Sequence, residues 1–284
     1  MSKNSLVTEL KDAYNKSREI FTDARNKNNN LSDINSLNQN QHIAHGLAWY
    51  ATYVESLLQL SKWIEYLETN NRLTDLEVGI AGVGAGEYCL QIMHGIPMSQ
   101  NETIRPEELG IPNEKIEEFK KITKSLTQRS TSFEKNRVMS ILQQSIESGI
   151  QPDDGLDETY QEIKNQFKRF VNDEITPHAH EWHMNDDYIP LEIIKKMSEL
   201  GVFGLTIPEE YGGLGLEKKA MCIVSEELSR GWVGVGSLGT RSEIAAELIL
   251  IGGTEEQKQK YITKISSGEI FPTAVFSEPD IGSD

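Results

Sequence analysis

The stretch Ile207-Pro208-Glu209-Glu210-Tyr211-Gly212-Gly213-Leu214-Gly215-Leu216 separates two segments that have helical periodicity. Pro190 to Leu200 precedes it and Lys219 to Arg230 follows it, both with apolar residues repeating at three- and four-residue intervals. The glycine-dense stretch itself predicts a tight connection in which some residues need positive φ. The pattern therefore favours helices joined by short turns over an alternating strand–helix fold.

The chain beyond this stretch continues in helical segments almost to its end. Thr240 to Ile251 is apolar-periodic and ends at Gly252-Gly253, and Thr254-Glu255-Glu256-Gln257 then predicts a capping box that opens a helix running to about Ile265. Ile270 to Phe276 is the first stretch that reads as a β-strand. We expect helices from Leu156 to Ser267 and a short β stub after them.

The first half of the chain also has helical periodicity. The predicted segments are Leu6 to Asn26, Gln41 to about Leu67, Leu73 to Met93 and Glu114 to Ser148, with an Asn-rich loop from Asn26 to Asn40. Pro152-Asp153-Asp154-Gly155 indicates a turn at a domain boundary. We expect a mainly α chain with a helical extension over residues 1–150, a second helical domain over 151–270, and the start of a β domain over 271–284.

Composition narrows the classes of function. The formal net charge of −16 disfavours a nucleic-acid partner, because such partners are bound through phosphate neutralisation. The 2 cysteines favour a reducing compartment over a disulfide scaffold. The sequence contains neither the apolar core of a signal peptide nor a run long enough to span a bilayer, so we expect a cytoplasmic protein without a membrane partner.

Several landmarks occur in a fixed order in the second half of the chain. They are the Pro-Glu-Glu-Tyr-Gly-Gly-Leu-Gly stretch, Gly-Gly-Thr-Glu-Glu-Gln-Lys at Gly252, Ser-Gly-Glu at Ser267, and Phe-Ser-Glu-Pro-Asp-Ile-Gly-Ser-Asp at Phe276. In this order they resemble the acyl-CoA dehydrogenase family from about Leu156 to Asp284. The resemblance implies an N-terminal helical domain, then a β domain and a C-terminal bundle. It also implies oxidation of an acyl-CoA to the enoyl-CoA with FAD as hydride acceptor, and electron transfer to an electron-transfer flavoprotein.

The first half of the chain, together with one stretch of the second half, resembles a narrower group within that family. The stretch Gln41-His42-Ile43-Ala44-His45-Gly46-Leu47-Ala48-Trp49, the later Gly95-Ile96-Pro97-Met98-Ser99-Gln100, and Gly234 to Glu243 are similar to the (2S)-methylsuccinyl-CoA dehydrogenases. That similarity implies methylsuccinyl-CoA as the substrate, in the ethylmalonyl-CoA route of acetate assimilation.

The resemblance assigns a flavin-binding role to the last residues of the chain. It implies that Ala274, Phe276, Ser277, Gly282 and Ser283 contact FAD, and that Ser283 also approaches the acyl-CoA. A hydroxyl donor such as Ser277 helps a flavin ring hold negative charge, and Gly282 permits close backbone approach. A plain β-turn with locally satisfied hydroxyls is the alternative interpretation.

The reaction also needs a carboxylate base, which the family takes from its C-terminal bundle. Four glutamates, Glu226, Glu227, Glu243 and Glu278, are possible substitutes, but helix and turn positions explain them better. We therefore expect no catalytic residue in this chain and no activity from it alone. Its expected protein partners are the remaining dehydrogenase domains or further copies in a homo-oligomer, together with an electron-transfer flavoprotein. The alternative is a non-catalytic helical interaction module or fragment that docks on a partner.

Other motifs have structural explanations that we favour. Gly82-Val83-Gly84-Ala85-Gly86 imitates a dinucleotide fingerprint, but its flanks predict helices, so close helix packing explains it better. The cluster His178, His180 and His183 spans a break predicted at Pro177, and we expect no metal site there. The glycines near Tyr211 could lie beside the acyl end of a substrate, but a connector between helices is the favoured interpretation.

Overall fold

The computed structural model describes residues 3–273, 275 and 277–279. It divides into two compact units, Met1–Gly155 and Leu156–Asp284. Helices dominate both, which confirms the predicted mainly α class. In the part of the chain that the structure describes, no helix is both long and apolar enough to cross a membrane.

The first unit is built on long helices that bury their apolar faces against each other. Its helices are α1 (Lys3–Lys27), α2 (Ile34–Gln39), α3 (Gln41–Thr69), α4 (Asp75–His94), α5 (Asn113–Ile122), α6 (Lys124–Gln128) and α7 (Ser132–Glu147). Helix α1 packs mainly on α3, and α4 packs on both. Leu10, Leu57 and Ile64 are fully buried between them. The amphipathic spacing read from the sequence thus forms this core.

Two features of the first unit differ from the prediction. The segment predicted as an Asn-rich loop contains α2, because the Asp33 side chain accepts a hydrogen bond from the Ser36 amide at 2.9 Å and so caps a short helix. A small antiparallel pair, β1 (Ile96–Pro97) and β2 (Thr103–Ile104), was also not predicted. Strands of two residues are too short to show the alternation by which a strand is recognised.

The glycines of α4 let neighbouring helices approach closely, as predicted for Gly82-Val83-Gly84-Ala85-Gly86. A Cβ on Gly82 would lie 2.7 Å from the Arg129 side chain, and one on Gly86 would lie 2.5 Å from the Leu126 carbonyl oxygen. Both positions lie inside a helix, so no strand precedes them as a dinucleotide site would require.

The end of the first unit is held by a polar network around Asp153. Arg72 donates two hydrogen bonds to the Asp153 carboxylate, from Nε at 2.7 Å and from Nη2 at 2.6 Å. The Trp63 indole donates to the Asp153 carbonyl at 3.0 Å, and the Asp153 amide donates to Glu77 at 2.9 Å. The turn predicted at residues 152–155 is therefore tied to α3 and α4, and the division between the units falls after Gly155.

The second unit is also helical. It contains α8 (Glu158–Phe170), a π-helical turn (Val171–Ile175), α9 (Thr176–Met184), α10 (Leu191–Glu199), α11 (Lys218–Gly231), α12 (Val233–Gly252) and α13 (Glu255–Ser266), with 3₁₀ turns at Val202–Gly204 and Glu209–Tyr211. Its main core surrounds Phe203, Val224 and Leu228. The capping box at Thr254 is present, since Thr254 and Gln257 each accept a hydrogen bond from the other's backbone amide.

Three local predictions for this unit need correction. Pro177 does not break the chain, because it lies in the first turn of α9, where no amide donor is needed. Helix α12 begins at Val233, seven residues before the predicted Thr240. Of the run predicted as a strand, the described residues 270–273 and 275 are not part of a strand.

Candidate functional site

The segment predicted to bind FAD is only partly described. Ser277 is described and exposed, so its hydroxyl is accessible. Ala274, Phe276, Gly282 and Ser283 lie outside the described residues, and their roles remain predictions.

The chain leading into this segment is anchored on the glycine-rich loop. The Ser266 hydroxyl donates a hydrogen bond to the Gly212 carbonyl at 2.9 Å. Gly268 has φ 72°, and a Cβ there would lie 2.0 Å from the Ser198 hydroxyl oxygen. Phe271 then packs edge-on against Phe203, with ring centroids 5.2 Å apart. Two landmarks separated in sequence, the glycine-rich loop and the Ser-Gly-Glu turn, therefore meet in space.

The glycine-rich loop itself is folded against its own backbone. Gly212 has φ 79°, a left-handed conformation, and a Cβ on Gly213 would lie 2.0 Å from the Ile207 carbonyl oxygen. The Leu214 amide donates to the Gly204 carbonyl at 2.8 Å. Tyr211 is buried in a small cluster with Ile262 and Ile265. These contacts support the connector interpretation.

The candidate carboxylates are either committed to other groups or exposed. Glu227 is 4% exposed and accepts a hydrogen bond from Arg230 Nε at 2.9 Å. Glu243 pairs with Lys218 at 2.6 Å and lies 3.3 Å from the Thr206 hydroxyl. Glu226 and Glu278 are exposed. A proton acceptor should be desolvated and free to receive a proton, and none of these four meets both conditions.

Three of the candidate histidines, His42, His45 and His178, have neighbours that explain them structurally. The His178 ring stacks on Trp182 at 5.4 Å, and His45 Nε2 accepts a hydrogen bond from the Trp49 indole at 2.9 Å. His42 lies between two carboxylates, 3.9 Å from Glu102 and 3.4 Å from Glu108. Over the described ranges, no three metal-binding side chains converge.

A surface cavity of about 390 Å³ in the first unit is lined by two arginines, but its charges are paired locally. Arg137 donates to Glu134 at 2.8 Å, and Arg129 pairs with Glu9 at 3.3 Å. This pairing leaves little net attraction for an anion.

Comparison with known proteins identifies the second unit. Residues 157–269 match the family model of the acyl-CoA dehydrogenase N-terminal domain. This unit therefore carries the acyl-CoA dehydrogenase N-terminal domain that the resemblance implied.

A match over nearly the whole chain refines this placement. The chain is 46% identical over 289 aligned positions to the (2S)-methylsuccinyl-CoA dehydrogenase of Cereibacter sphaeroides, covering 98% of this chain and 52% of that protein. It is 39% identical to the mitochondrial isovaleryl-CoA dehydrogenase of Solanum tuberosum, over 45% of this chain and 32% of that protein. The chain thus spans about half of the first relative and about a third of the second.

Solved structures match somewhat less than half of the chain. A glutaryl-coenzyme A dehydrogenase in complex with glutaryl-CoA is 38% identical over 46% of this chain and 34% of that chain, with a TM-score of 0.42. The glutaryl-CoA dehydrogenase of Mycobacterium smegmatis is 28% identical over 45% of this chain and 33% of its own, with a TM-score of 0.42.

Proposed function

We propose that this chain forms the N-terminal portion of a flavin-dependent acyl-CoA dehydrogenase that oxidises methylsuccinyl-CoA, or a closely similar acyl-CoA, to the α,β-enoyl-CoA. The observation that carries the proposal is the match to the methylsuccinyl-CoA enzyme over 98% of the chain. The isovaleryl-CoA dehydrogenase matches only 45% of the chain. Similarity to the methylsuccinyl-CoA enzyme therefore includes the first unit, which the shared dehydrogenase domain does not explain.

In this proposal the chain's own residues help to hold FAD, and the flavin accepts a hydride from the substrate. The Ser277 hydroxyl is exposed and able to donate a hydrogen bond to the flavin edge. Ser283 would lie near the pyrophosphate and the thioester arm, Gly282 would allow close backbone approach, and Ala274 and Phe276 would complete the contact. Ser277 fits the proposed cofactor because a hydrogen bond to the flavin would replace one that its exposed hydroxyl makes to water, which offsets the cost of desolvation.

We propose that the carboxylate base comes from the part of the enzyme that corresponds to the unmatched half of the relative. The commitment of Glu227 to Arg230 and of Glu243 to Lys218 supports this division. The chain alone would then be inactive. Its further partners would be an electron-transfer flavoprotein and the remaining dehydrogenase domains or a second copy, in the cytoplasm.

The test is an assembly in which this chain replaces the matched half of the Cereibacter sphaeroides enzyme. We expect the assembly to be yellow and to reduce an artificial electron acceptor when methylsuccinyl-CoA is added, and the chain alone to do neither. The matched control is the same assembly with isovaleryl-CoA, which should be oxidised more slowly. Turnover by the chain alone would contradict the placement of the base. A stable colourless assembly would favour the alternative, a non-catalytic helical interaction module.

A further inference from the structure

The hydroxyl of Ser266 links the end of α13 to the glycine-rich loop at a buried point. Ser266 is 6% exposed, and its hydroxyl donates a hydrogen bond to the Gly212 carbonyl at 2.9 Å. The two residues are 54 positions apart in the chain, so the bond is a tertiary contact and not part of a helix or a turn. A Cβ on Gly204 would lie 2.5 Å from the Ser266 hydroxyl oxygen, so backbone encloses this hydroxyl on a second side. The hydroxyl therefore has a fixed place beside the loop.

Two further contacts hold the chain just after Ser266. Gly268 has φ 72°, and a Cβ there would lie 2.0 Å from the Ser198 hydroxyl oxygen, so the chain passes where only a glycine fits. The Phe271 ring packs edge-on against the buried Phe203, with ring centroids 5.2 Å apart. Contacts with residues 198–212 therefore direct the segment that leaves α13.

These anchors matter because the segment that follows is mostly exposed. Val275 is 78% exposed, and Ser277, Glu278 and Pro279 are also exposed, so burial fixes little of this part of the chain. A side chain that contacts a ligand has to be held close to its productive geometry by supporting residues, and a displacement of about 1 Å weakens binding or reactivity. The position of the Ser277 hydroxyl therefore depends on where the chain leaves α13.

We propose that Ser266 is a positioning residue for the flavin: its hydrogen bond to Gly212 fixes where the segment that contains Ser277 leaves α13. This inference rests on the proposed function, in which Ser277 donates a hydrogen bond to the flavin edge. It also gives the glycine-rich loop a role besides connecting two helices, since the loop supplies the acceptor for Ser266. The neighbouring Ser267 has no such role, because its hydroxyl donates to the Lys264 carbonyl of the preceding helix at 3.2 Å.

The experiment uses the assembly described above, loaded with FAD, and measures the dissociation constant of FAD and the midpoint potential of the bound flavin. We expect Ser266→Ala to weaken FAD binding by about 10-fold, because the segment that contains Ser277 then has to be ordered when the cofactor binds. The potential should become more negative, because Ser277 would donate less well to the ring as it takes up negative charge. When Ser277→Ala is already present, Ser266→Ala should shift the potential no further, because its effect passes through Ser277.

Two variants on and beside α13 are the matched controls. Ser267→Ala removes the adjacent hydroxyl and should leave both the affinity for FAD and the potential unchanged. Ile262→Val removes a methyl group from a fully buried side chain of α13, so it should lower the urea midpoint and leave the potential unchanged. This comparison separates loss of the anchor from a general loss of stability, and circular dichroism checks that each variant folds.

The outcomes separate this inference from the function on which it rests. An unchanged potential in Ser266→Ala, or an equal shift with Ser277→Ala already present, would overturn the role of Ser266 and leave the dehydrogenase activity standing. A parent assembly that binds no FAD would refute the proposed function. In that case hydrogen exchange at the Glu269 and Ile270 amides, which both donate to the Lys264 carbonyl, tests the anchor alone. Exchange should be about 10-fold faster in Ser266→Ala than in the parent, and equal rates would overturn the inference.

Discussion

Replacing Glu77 with glutamine is expected to destabilise the first unit by about 2–4 kcal/mol. Glu77 is 2% exposed and accepts three hydrogen bonds. One of its oxygens accepts from the Thr74 amide at 3.0 Å and from the Thr74 hydroxyl, and the other accepts from the Asp153 amide at 2.9 Å. An amide has only one carbonyl oxygen, so glutamine must leave either Thr74 or the Asp153 amide facing an NH₂ group.

The size of the effect follows from these contacts. A hydrogen bond to a charged group contributes about 1.5–3 kcal/mol, and a buried donor left without an acceptor costs about 1–3 kcal/mol. Loss of one hydrogen bond to the charged carboxylate, together with weakening of the other two, gives a destabilisation of about 2–4 kcal/mol.

The effect of Glu77 should depend on pH in a definite direction. Burial alone would raise the pKa of Glu77, but hydrogen bonds from Thr74 and from the Asp153 backbone outweigh it and hold the pKa below its ordinary value of 4.5. A carboxylate with a lowered pKa stabilises the fold above that ordinary value, and its contribution is lost as the pH falls through the folded-state pKa. The difference in free energy of unfolding between the parent and Glu77→Gln should therefore be largest at pH 7 and should become smaller as the pH falls.

The assay is urea unfolding of both proteins at neutral and acidic pH, with hydrogen exchange of the α4 amides to locate the change in the first unit. Glu117→Gln is the matched control, because Glu117 is exposed and lies 3.5 Å from Lys120. Such a surface pair should contribute less than about 1 kcal/mol. Equal stability of Glu77→Gln and the parent at pH 7, or a difference that grows on acidification, would refute the reasoning.

Two further predictions concern the first unit and the thiols. Gly86→Ala should lower stability by about 1–3 kcal/mol, because the new Cβ would lie 2.5 Å from the Leu126 carbonyl oxygen. Gly84→Ala on the same helix meets its nearest atom at 3.9 Å and should instead raise stability by about 0.5–1 kcal/mol; a urea midpoint that falls for both would contradict this. With an aromatic disulfide reagent, one thiol per native chain should react rapidly, because Cys222 is exposed. Cys89 should react only after unfolding, because burial raises its pKa to about 12, and two rapid equivalents from the native chain would contradict that expectation.

Much of the helical fold could be predicted because local signals and packing agree. The capping box at Thr254 determines where α13 begins, since both reciprocal hydrogen bonds form. The glycines of α4 were correctly read as packing positions, because their flanks had helical periodicity and not the strand that a nucleotide site needs.

The wrong predictions of helix bounds occur where tertiary contacts override the local conformational preference of the residues. Helix α12 starts at Val233 even though glycines disfavour helix in its first two turns. A Cβ on Gly236 would lie 2.0 Å from the Ser229 hydroxyl oxygen, so close contact with the end of α11 explains the glycine there. Likewise, Pro177 predicts a break because a proline inside a helix is costly, but it lies in the first turn of α9, directly after a π-helical turn.

The candidate site was predicted by a different kind of signal. No periodicity indicates a flavin-binding turn, and Ser277 was singled out only because it follows several landmarks in a fixed order. The structure brings two of those landmarks together through the hydrogen bond from Ser266 to Gly212. The sequence does not indicate this contact, because one hydroxyl and one backbone carbonyl far apart in the chain form no recognisable motif.

The network around Asp153 has a practical consequence for anyone who prepares the two units as separate proteins. A gene fragment that stops at Ile150 would remove the hydrogen bonds to Asp153 that are made by the Arg72 guanidinium, the Trp63 indole and the Glu77 carboxylate. A fragment that continues through Gly155 keeps all three hydrogen bonds to Asp153. Five additional residues should therefore make the isolated first unit more stably folded.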